Sequence, residues 1–286
     1  MKILITGSNG QLGSELSVLS KNFNASFIFT DKEELDITNA HATAALITSI
    51  KPDFIINAAA YTAVDKAESE SETAYLINAK AVENLAAVSK KINAKLIHIS
   101  TDFVFDGTKN TPYSEDDAPN PLSVYGKSKL QGEQVCLQQN TEAIIIRTSW
   151  LYSSFGNNFV KTILRLASEK KELRVVHDQK GTPTYARDLA HAILHICRHE
   201  KVKSTSGIFH YSNEGACTWF EFASEIVALS EKDCQVIPIK THEYPTAAVR
   251  PKYSVLDKNK IASTFGLSIP EWKNSLKACL QLLTPS

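Results

Sequence analysis

A chain of 286 residues is long enough to bury a sizeable core, either as one large α/β unit or as two lobes sharing a cleft. Apolar residues at 43% and charged residues at 22% exclude a disordered or collagen-like chain. Lys plus Arg and Asp plus Glu both number 31, so no net positive field singles out nucleic acid or an anionic membrane, and local sites must hold any ligand.

The opening MKILITGSNG carries a short apolar run that passes straight into a glycine turn, unlike a secretory leader. No apolar run approaches the roughly 18 residues of a membrane span. Cys136, Cys197, Cys217, Cys234 and Cys279 are scattered without a CxxC pair, so a reducing cytoplasm is the expected setting.

From the first residue to about Glu200, short β-branched runs alternate with amphipathic stretches, the βαβ rhythm of a parallel sheet covered on both faces. Residues 2–6, 26–31, 53–58, 95–100 and 143–148 read as its strands, with 173–177 as the sixth. Leu12, Leu16 and Leu19, and again Ala44, Ile47 and Ile50, recur at helical spacing between them. Beyond Glu200 the rhythm breaks into strand-like pieces at 208–212 and 236–239, a helix opened by a Thr218/Glu221 capping box, and a C-terminal helix. The fold class is therefore α/β: a Rossmann-like doubly wound parallel sheet with a smaller α+β substrate-binding lobe. The first unit takes 1–150 and about 173–200, and the second about 151–172 and 201–286, interdigitated with the first.

The chemistry follows the strands in order. Gly7, Asn9, Gly10, Gln11, Leu12 and Gly13 lie on the turn between the first strand and first helix, where side-chain-free backbone and a helix N-terminus suit a dinucleotide pyrophosphate. Asp31 closes the second strand, where an acid accepts from the adenosine ribose. The adjacent Lys32 suits a 2′-phosphate, so NADH and NADPH both remain candidates. Asp36 and Ile37 follow as a polar contact and an apolar wall for adenine, and Ala58, Ala59 and Ala60 let backbone and cofactor approach at the third strand's end. Thr101 stands at the end of the fourth strand, and Tyr125 and Lys129 share one helical face at i,i+4. A ketone reduction needs a proton donor, and an ammonium beside a phenol is expected to lower its pKa toward the working range. Tyr125 is thus the expected acid, Lys129 its partner and a ribose ligand, and Thr101 an oxyanion contact. His191, His195 and His199 repeat along a helix but lack an acidic or thiol partner, so they read as a solvated stripe.

Together with these motifs stand NAAAYTAVDKAE from Asn57, STDFVFDG from Ser100, YGKSKLQGE from Tyr125, RTSWLY from Arg147, GNNFVKT from Gly156, DQKGTPT from Asp178 and RPKYSVLD from Arg250. Over nearly the whole chain the sequence resembles the extended short-chain dehydrogenases, and most closely the branch that reduces dTDP-linked 4-keto sugars. The resemblance implies hydride transfer from NADPH or NADH to C4 of dTDP-4-dehydro-β-L-rhamnose, giving dTDP-β-L-rhamnose. It assigns catalysis to Thr101, Tyr125 and Lys129, and substrate contacts to Thr62, Val64, Thr101, Asp102, Trp150, Asn158 and Arg250, the last chemically suited to a diphosphate. Phe103 stands where such proteins commonly have Tyr, and Tyr253 where many have Asn. Some of them form dimers around Mg²⁺ held by glutamates. Glu15 matches one such position, but 185–188 and the tail 281–286 do not provide a clear matching set of carboxylates, so no metal is predicted and Glu15 reads as solvated. Monomer and homodimer both remain open. Sugar-nucleotide epimerases and dehydratases share the glycine turn and the Tyr/Lys pair, although 101–103 lacks the Thr-Asp-Glu of a dehydratase. A reductase-like regulatory subunit is a further alternative.

Overall fold

The computed structural model describes residues 1–283; residues 284–286 of the tail considered above lie outside the described residues. The chain begins β1 (Lys2–Thr6), α1 (Gln11–Ser20), β2 (Ser26–Thr30), α2 (Ala40–Ile50), β3 (Phe54–Asn57). Short helices α3 (Val64–Ala67) and α4 (Ser71–Tyr75) then run through one π turn, Leu76–Lys80, into α5 (Ala81–Lys91). Next come β4 (Lys95–Thr101), α6 (Val124–Gln139), β5 (Ile144–Thr148), β6 (Leu151–Tyr152) and α7 (Phe159–Glu169). After them lie β7 (Glu172–Val176), β8 (Lys180–Gly181), β9 (Thr184–Tyr185), α8 (Ala186–Arg198) and β10 (Gly207–His210). The chain ends with β11 (Cys217–Thr218), α9 (Trp219–Leu229), β12 (Gln235–Ile239), α10 (Asn259–Phe265) and α11 (Trp272–Leu283).

Among the described residues, six strands form one sheet in the order β10-β5-β4-β3-β1-β2, parallel at every pairing. Its inner strands are buried almost throughout because helices cover both faces. Ile3 and Ile5 of β1 pack with Leu12 and Leu16 of α1 and with Leu189 and Ile193 of α8. Leu4, pointing the other way, joins Ile47 of α2 and Val82 and Leu85 of α5.

The sixth strand is not the one expected. Residues 173–177 fall in β7, which pairs in parallel with β12 in a separate two-stranded sheet, whereas Gly207–His210 pairs with Ile144–Arg147 and completes the large sheet. The burial pattern gives the reason. In β7 only Leu173 and Val175 are buried, while Glu172 and Arg174 face solvent, so the strand has one apolar face and suits a sheet covered on one side. The crossover through α8, by contrast, returns the chain beside β5, and Phe209 joins the core with Ile261 and Phe265 of α10. β10 and α10, from the segment expected to build the second lobe, thus pack on the large sheet together with α8.

A second core forms where α7, α9, α11 and the β7/β12 pair gather around Tyr152, Tyr185, Phe222, Leu276 and Trp272. As expected, the Thr218 hydroxyl caps α9: it accepts from Glu221 N, and the Glu221 carboxylate accepts in turn from Thr218 N. No helix among the described residues is long and apolar enough to cross a membrane.

Candidate active site

The ends of β1, β3 and β4 open on one rim of the sheet. There Gly7, at φ +71, turns the chain so tightly that a Cβ would lie 2.6 Å from Ala59 backbone. Only glycine meets both demands. A Cβ on Gly13 would enter the Gly7 carbonyl and Ser8 backbone, so Gly13 is the packing glycine that seats α1 under the turn. Asp31 fixes the turn from the neighbouring strand by accepting from Asn9 N at 2.8 Å. A cleft of about 620 Å³ runs from this turn along Asp31, Asp36, Ile37 and Ala58 to Ala60, and Asn9 and Gly10 also line it.

The side chains of the remaining turn residues point away from the cleft. Leu12 is core. Gln11 turns its amide toward the second lobe, where its Oε1 accepts from Asn158 Nδ2 at 2.9 Å. Asp36 accepts from both the backbone N and the hydroxyl of Thr38, and these bonds hold its carboxyl below the usual range. Leu35, Thr38, Thr73, Leu76 and Ile77 also line the cleft and were not anticipated. The last two belong to the π turn after α4, and apolar spacing carries no signal that a helix will open there.

Thr101, Tyr125 and Lys129 come together where α6 crosses the end of β4. Ser123 caps α6 by accepting from Gly126 N, which starts the helix with Tyr125 in its first turn. Phe103 packs edge-on against Tyr125 with ring centroids 5.6 Å apart, so the ring that lacks the family hydroxyl still braces the phenol. Lys129 is 1% exposed and donates from Nζ to Ile99 O at 2.6 Å. The Thr101 hydroxyl donates to Asp102 Oδ1 at 3.1 Å and accepts from Phe103 N.

The electrostatics correct one expectation. Burial pushes the Tyr125 phenol up to about 12, a hydrogen bond with Thr101 opposes the rise, and Asp102 adds to it; Lys129 does not bring it down. Desolvation instead lowers Lys129 itself to about 8, opposed by Glu133. Burial also raises Asp102 to about 7, against hydrogen bonds from Ser254 and Thr101. In this arrangement Tyr125 is fully protonated at neutral pH, the state in which an acid can donate, while Lys129 and Asp102 titrate nearer neutrality.

The expected substrate residues spread around the mouth. Thr62 is exposed and Val64 half-buried at the start of α3. Trp150, at φ +45, stacks on Trp219 with centroids 3.5 Å apart, and its ring lies against Gly181, where any Cβ would collide with it. Sequence reading did not anticipate Trp219. Asn158 does not present a free amide: its Oδ1 caps α7 by accepting from Lys161 N, and its Nδ2 donates to Gln11 and to Ser153 O. Arg250 is likewise engaged, in a two-pronged pair with Asp65 at 2.7 and 3.1 Å. Glu15 is the clearest reversal. It is 0% exposed, accepts from Ser153 Oγ at 2.6 Å and pairs with Arg187 at 2.8 Å, because α8 and the chain after β6 close over this face of α1. The histidine stripe shows no ligand geometry; His195 Nε2 lies 2.8 Å from the Phe265 carbonyl.

Comparison with known proteins agrees with this layout. A family model described as the RmlD substrate binding domain matches residues 1–284. The dTDP-4-dehydrorhamnose reductase of Aggregatibacter actinomycetemcomitans is 44% identical, over 96% of this chain and 97% of its own. The crystal structure of a dTDP-4-dehydrorhamnose reductase from Clostridium acetobutylicum superposes with a TM-score of 0.94 at 46% identity, covering 99% of both chains. That of the Bacillus anthracis enzyme, solved in complex with NADP, gives 0.91 at 41% identity over 98% of both. By sequence and fold alike, the chain belongs to the dTDP-4-dehydrorhamnose reductase family.

Proposed function

We propose that the chain catalyses NAD(P)H-dependent reduction of the C4 keto group of dTDP-4-dehydro-β-L-rhamnose to give dTDP-β-L-rhamnose. The observation that carries this reading is the convergence of Thr101, Tyr125 and Lys129 where α6 crosses the end of β4, in a chain that also has the glycine turn with its cleft and whose full-length relatives carry that activity as their name. The cleft suits a dinucleotide: its backbone turn has no room for a Cβ at Gly7, and α1 directs its first-turn N–H groups toward the rim. Gly7 to Gly13, Asp31, Asp36, Ile37 and Ala58 to Ala60 are the residues that would hold it, with Lys129 and Tyr125 at the nicotinamide end.

When bound, the dinucleotide supplies the hydride. The protein's own work is to hold the sugar and deliver a proton. Tyr125 donates its phenolic proton to the C4 oxygen as negative charge develops there, and Thr101 completes the hydrogen bonding at that oxygen. Lys129, on the same helical face as Tyr125, would hold the nicotinamide ribose and so set the cofactor against the sugar. Trp150 offers a flat face to the sugar, and Arg250 turns from Asp65 toward the diphosphate. Thr62, Val64, Asp102 and Asn158 complete the substrate surround. The NADP complex of a 41% identical relative favours NADPH, and Lys32 beside Asp31 offers a cation for a 2′-phosphate. A cytoplasmic location accords with five unpaired cysteines.

In a coupled assay fed with the dTDP-4-keto sugar, one NAD(P)H should disappear per product formed. Turnover without net cofactor loss would favour an epimerase instead. Tyr125→Phe should cut kcat by about 10²–10⁴-fold while the protein still folds and binds cofactor. Unchanged turnover in that variant would remove Tyr125 from the mechanism.

A further inference from the structure

The buried face of α6 is unusual for a helix in an α/β core: Gly126, Ser128, Lys129, Gly132, Glu133 and Cys136 rather than a leucine stripe. Contacts between such small and polar groups are directional, so they fix the helix's rotation and slide more tightly than apolar packing does. Gly126 sits against the Phe103 carbonyl and Gly132 against the Asn78 carbonyl, each too close for a side chain. One turn beyond Lys129, Glu133 meets Arg147 of β5 in a two-pronged pair, 2.9 Å from Nε to Oε1 and 2.7 Å from NH2 to Oε2. Oε1 also accepts from Ser100 Oγ at 2.5 Å. Both charged side chains are at most 2% exposed. Arg147 is held from its other sides, with its guanidinium 5.0 Å from the Phe105 ring centre and NH1 3.4 Å from His210 Nε2.

A buried ion pair of this kind is no strong source of stability, since desolvation offsets most of the attraction. Its location is what distinguishes it. Tyr125, Lys129 and Glu133 occupy successive turns of one helical face, and Thr101, Ile99 and Ser100 are the last three residues of β4. We propose that Glu133 and Arg147 are positioning residues for the reduction: their pair locks α6 to the ends of β4 and β5, setting Tyr125 opposite Thr101, with the Glu133 carboxylate one helical turn from Lys129 on the same face. This rests on the assignment of Tyr125 and Lys129 made above.

The surroundings of Lys129 make Glu133 the carboxylate that matters. On the same helix, Cys136 is held protonated by burial, up to about 12. On β4, His98 is kept neutral by burial and by Lys129 itself. Asp102 lies beyond the end of β4, Arg147 lies on β5 behind Glu133, and Glu68 and Glu83 touch only the two ends of α6.

The test compares the parent enzyme with Glu133→Gln, which keeps the shape but loses the charge, and Glu133→Asp, which keeps the charge but shortens the reach. Two readouts are used: kcat per cofactor-binding site against pH, and direct titration of the Lys129 ammonium by NMR in protein carrying isotope-labelled lysine. Glu133→Gln should move the Lys129 titration and the alkaline limb of activity down by about one pH unit or more and lower kcat at least about 10-fold. Glu133→Asp should lose kcat with the titration near that of the parent. Should Glu133→Gln not fold, the charge-balanced Glu133→Gln/Arg147→Met variant takes its place with the same expectation. An unchanged Lys129 titration together with unchanged kcat per site, accompanied only by lower thermal stability, overturns the proposal. A parent enzyme that fails to reduce the keto sugar would instead overturn the functional reading, and the NMR titration would still decide whether Glu133 holds the charge on Lys129.

Discussion

A phenol pushed up to about 12 and a carboxyl pushed up to about 7 sit side by side at Tyr125 and Asp102, and both shifts come first from burial. The sequence placed Thr101, Tyr125 and Lys129 at one strand end and one helix face, and the structure brings them together there. Spacing could not convey the desolvation that holds the phenol up, because burial is set by segments distant in sequence. The raised Asp102 has a consequence for stability. Its folded pKa lies above the unfolded one, so the folded chain retains a proton between about pH 4 and pH 7 that the unfolded chain has released. The group is neutral in both states below that window and destabilises the fold above it, by up to about 4 kcal/mol. Asp102→Asn should therefore gain stability relative to the parent as pH rises from about 5 to about 8.5. The measurement is the difference in Tm at the two ends, and a difference that stays constant across the range would contradict the buried-carboxyl account.

Elements with strong local signatures were legible. The glycine turn, the strand ends that carry Asp31 and Thr101, and the capping box of α9 all follow from residues close in sequence. Membership of a sheet was not: β7 and β10 are both short apolar runs, and which one joins β5 depends on the crossover through α8 and on whether both faces are covered. The contact between α1 and the glycine turn gives a test at this scale. Helix propensity alone favours Ala over Gly by about 1 kcal/mol, so an exposed Gly→Ala change in a helix should stabilise. At Gly13 the added methyl meets the Gly7 carbonyl and Ser8 backbone, neither of which can turn aside as a side chain would. Overpacking of this kind costs about 1–3 kcal/mol, enough to reverse the sign. Gly13→Ala should lower Tm and weaken NAD(P)H binding together, the latter because the displaced turn is the one proposed to seat the pyrophosphate. Calorimetry of cofactor binding beside a thermal melt checks both, and a variant with parental affinity and a raised Tm would show that the turn yields freely.

At the scale of the whole molecule, polar contacts around α1 connect distant parts of the chain. Glu15 on α1 reaches Ser153 and Arg187, and Gln11 one turn earlier reaches Asn158. The sequence made Glu15 look solvated because a glutamate early in a helix usually is; only closure of α8 and the segment after β6 buries it. A fully buried carboxylate requires its cation. Removing Arg187 leaves Glu15 charged and desolvated, a loss of about 3–5 kcal/mol, whereas removing both charges and keeping the volume is often close to neutral. Arg187→Met should therefore unfold at markedly lower denaturant, and Glu15→Gln/Arg187→Met should recover most of the loss. Because Ser153 and Asn158 lie at the start of the second lobe, the single variant should also raise KM for the dTDP sugar more than it changes kcat, and the double variant should restore it. Equilibrium unfolding of both variants, run beside steady-state kinetics, tests the two statements together. If the double variant is as unstable as the single one, the pair contributes specific bonding rather than mutual charge compensation, and the junction owes its rigidity instead to the Trp150–Trp219 stack against Gly181.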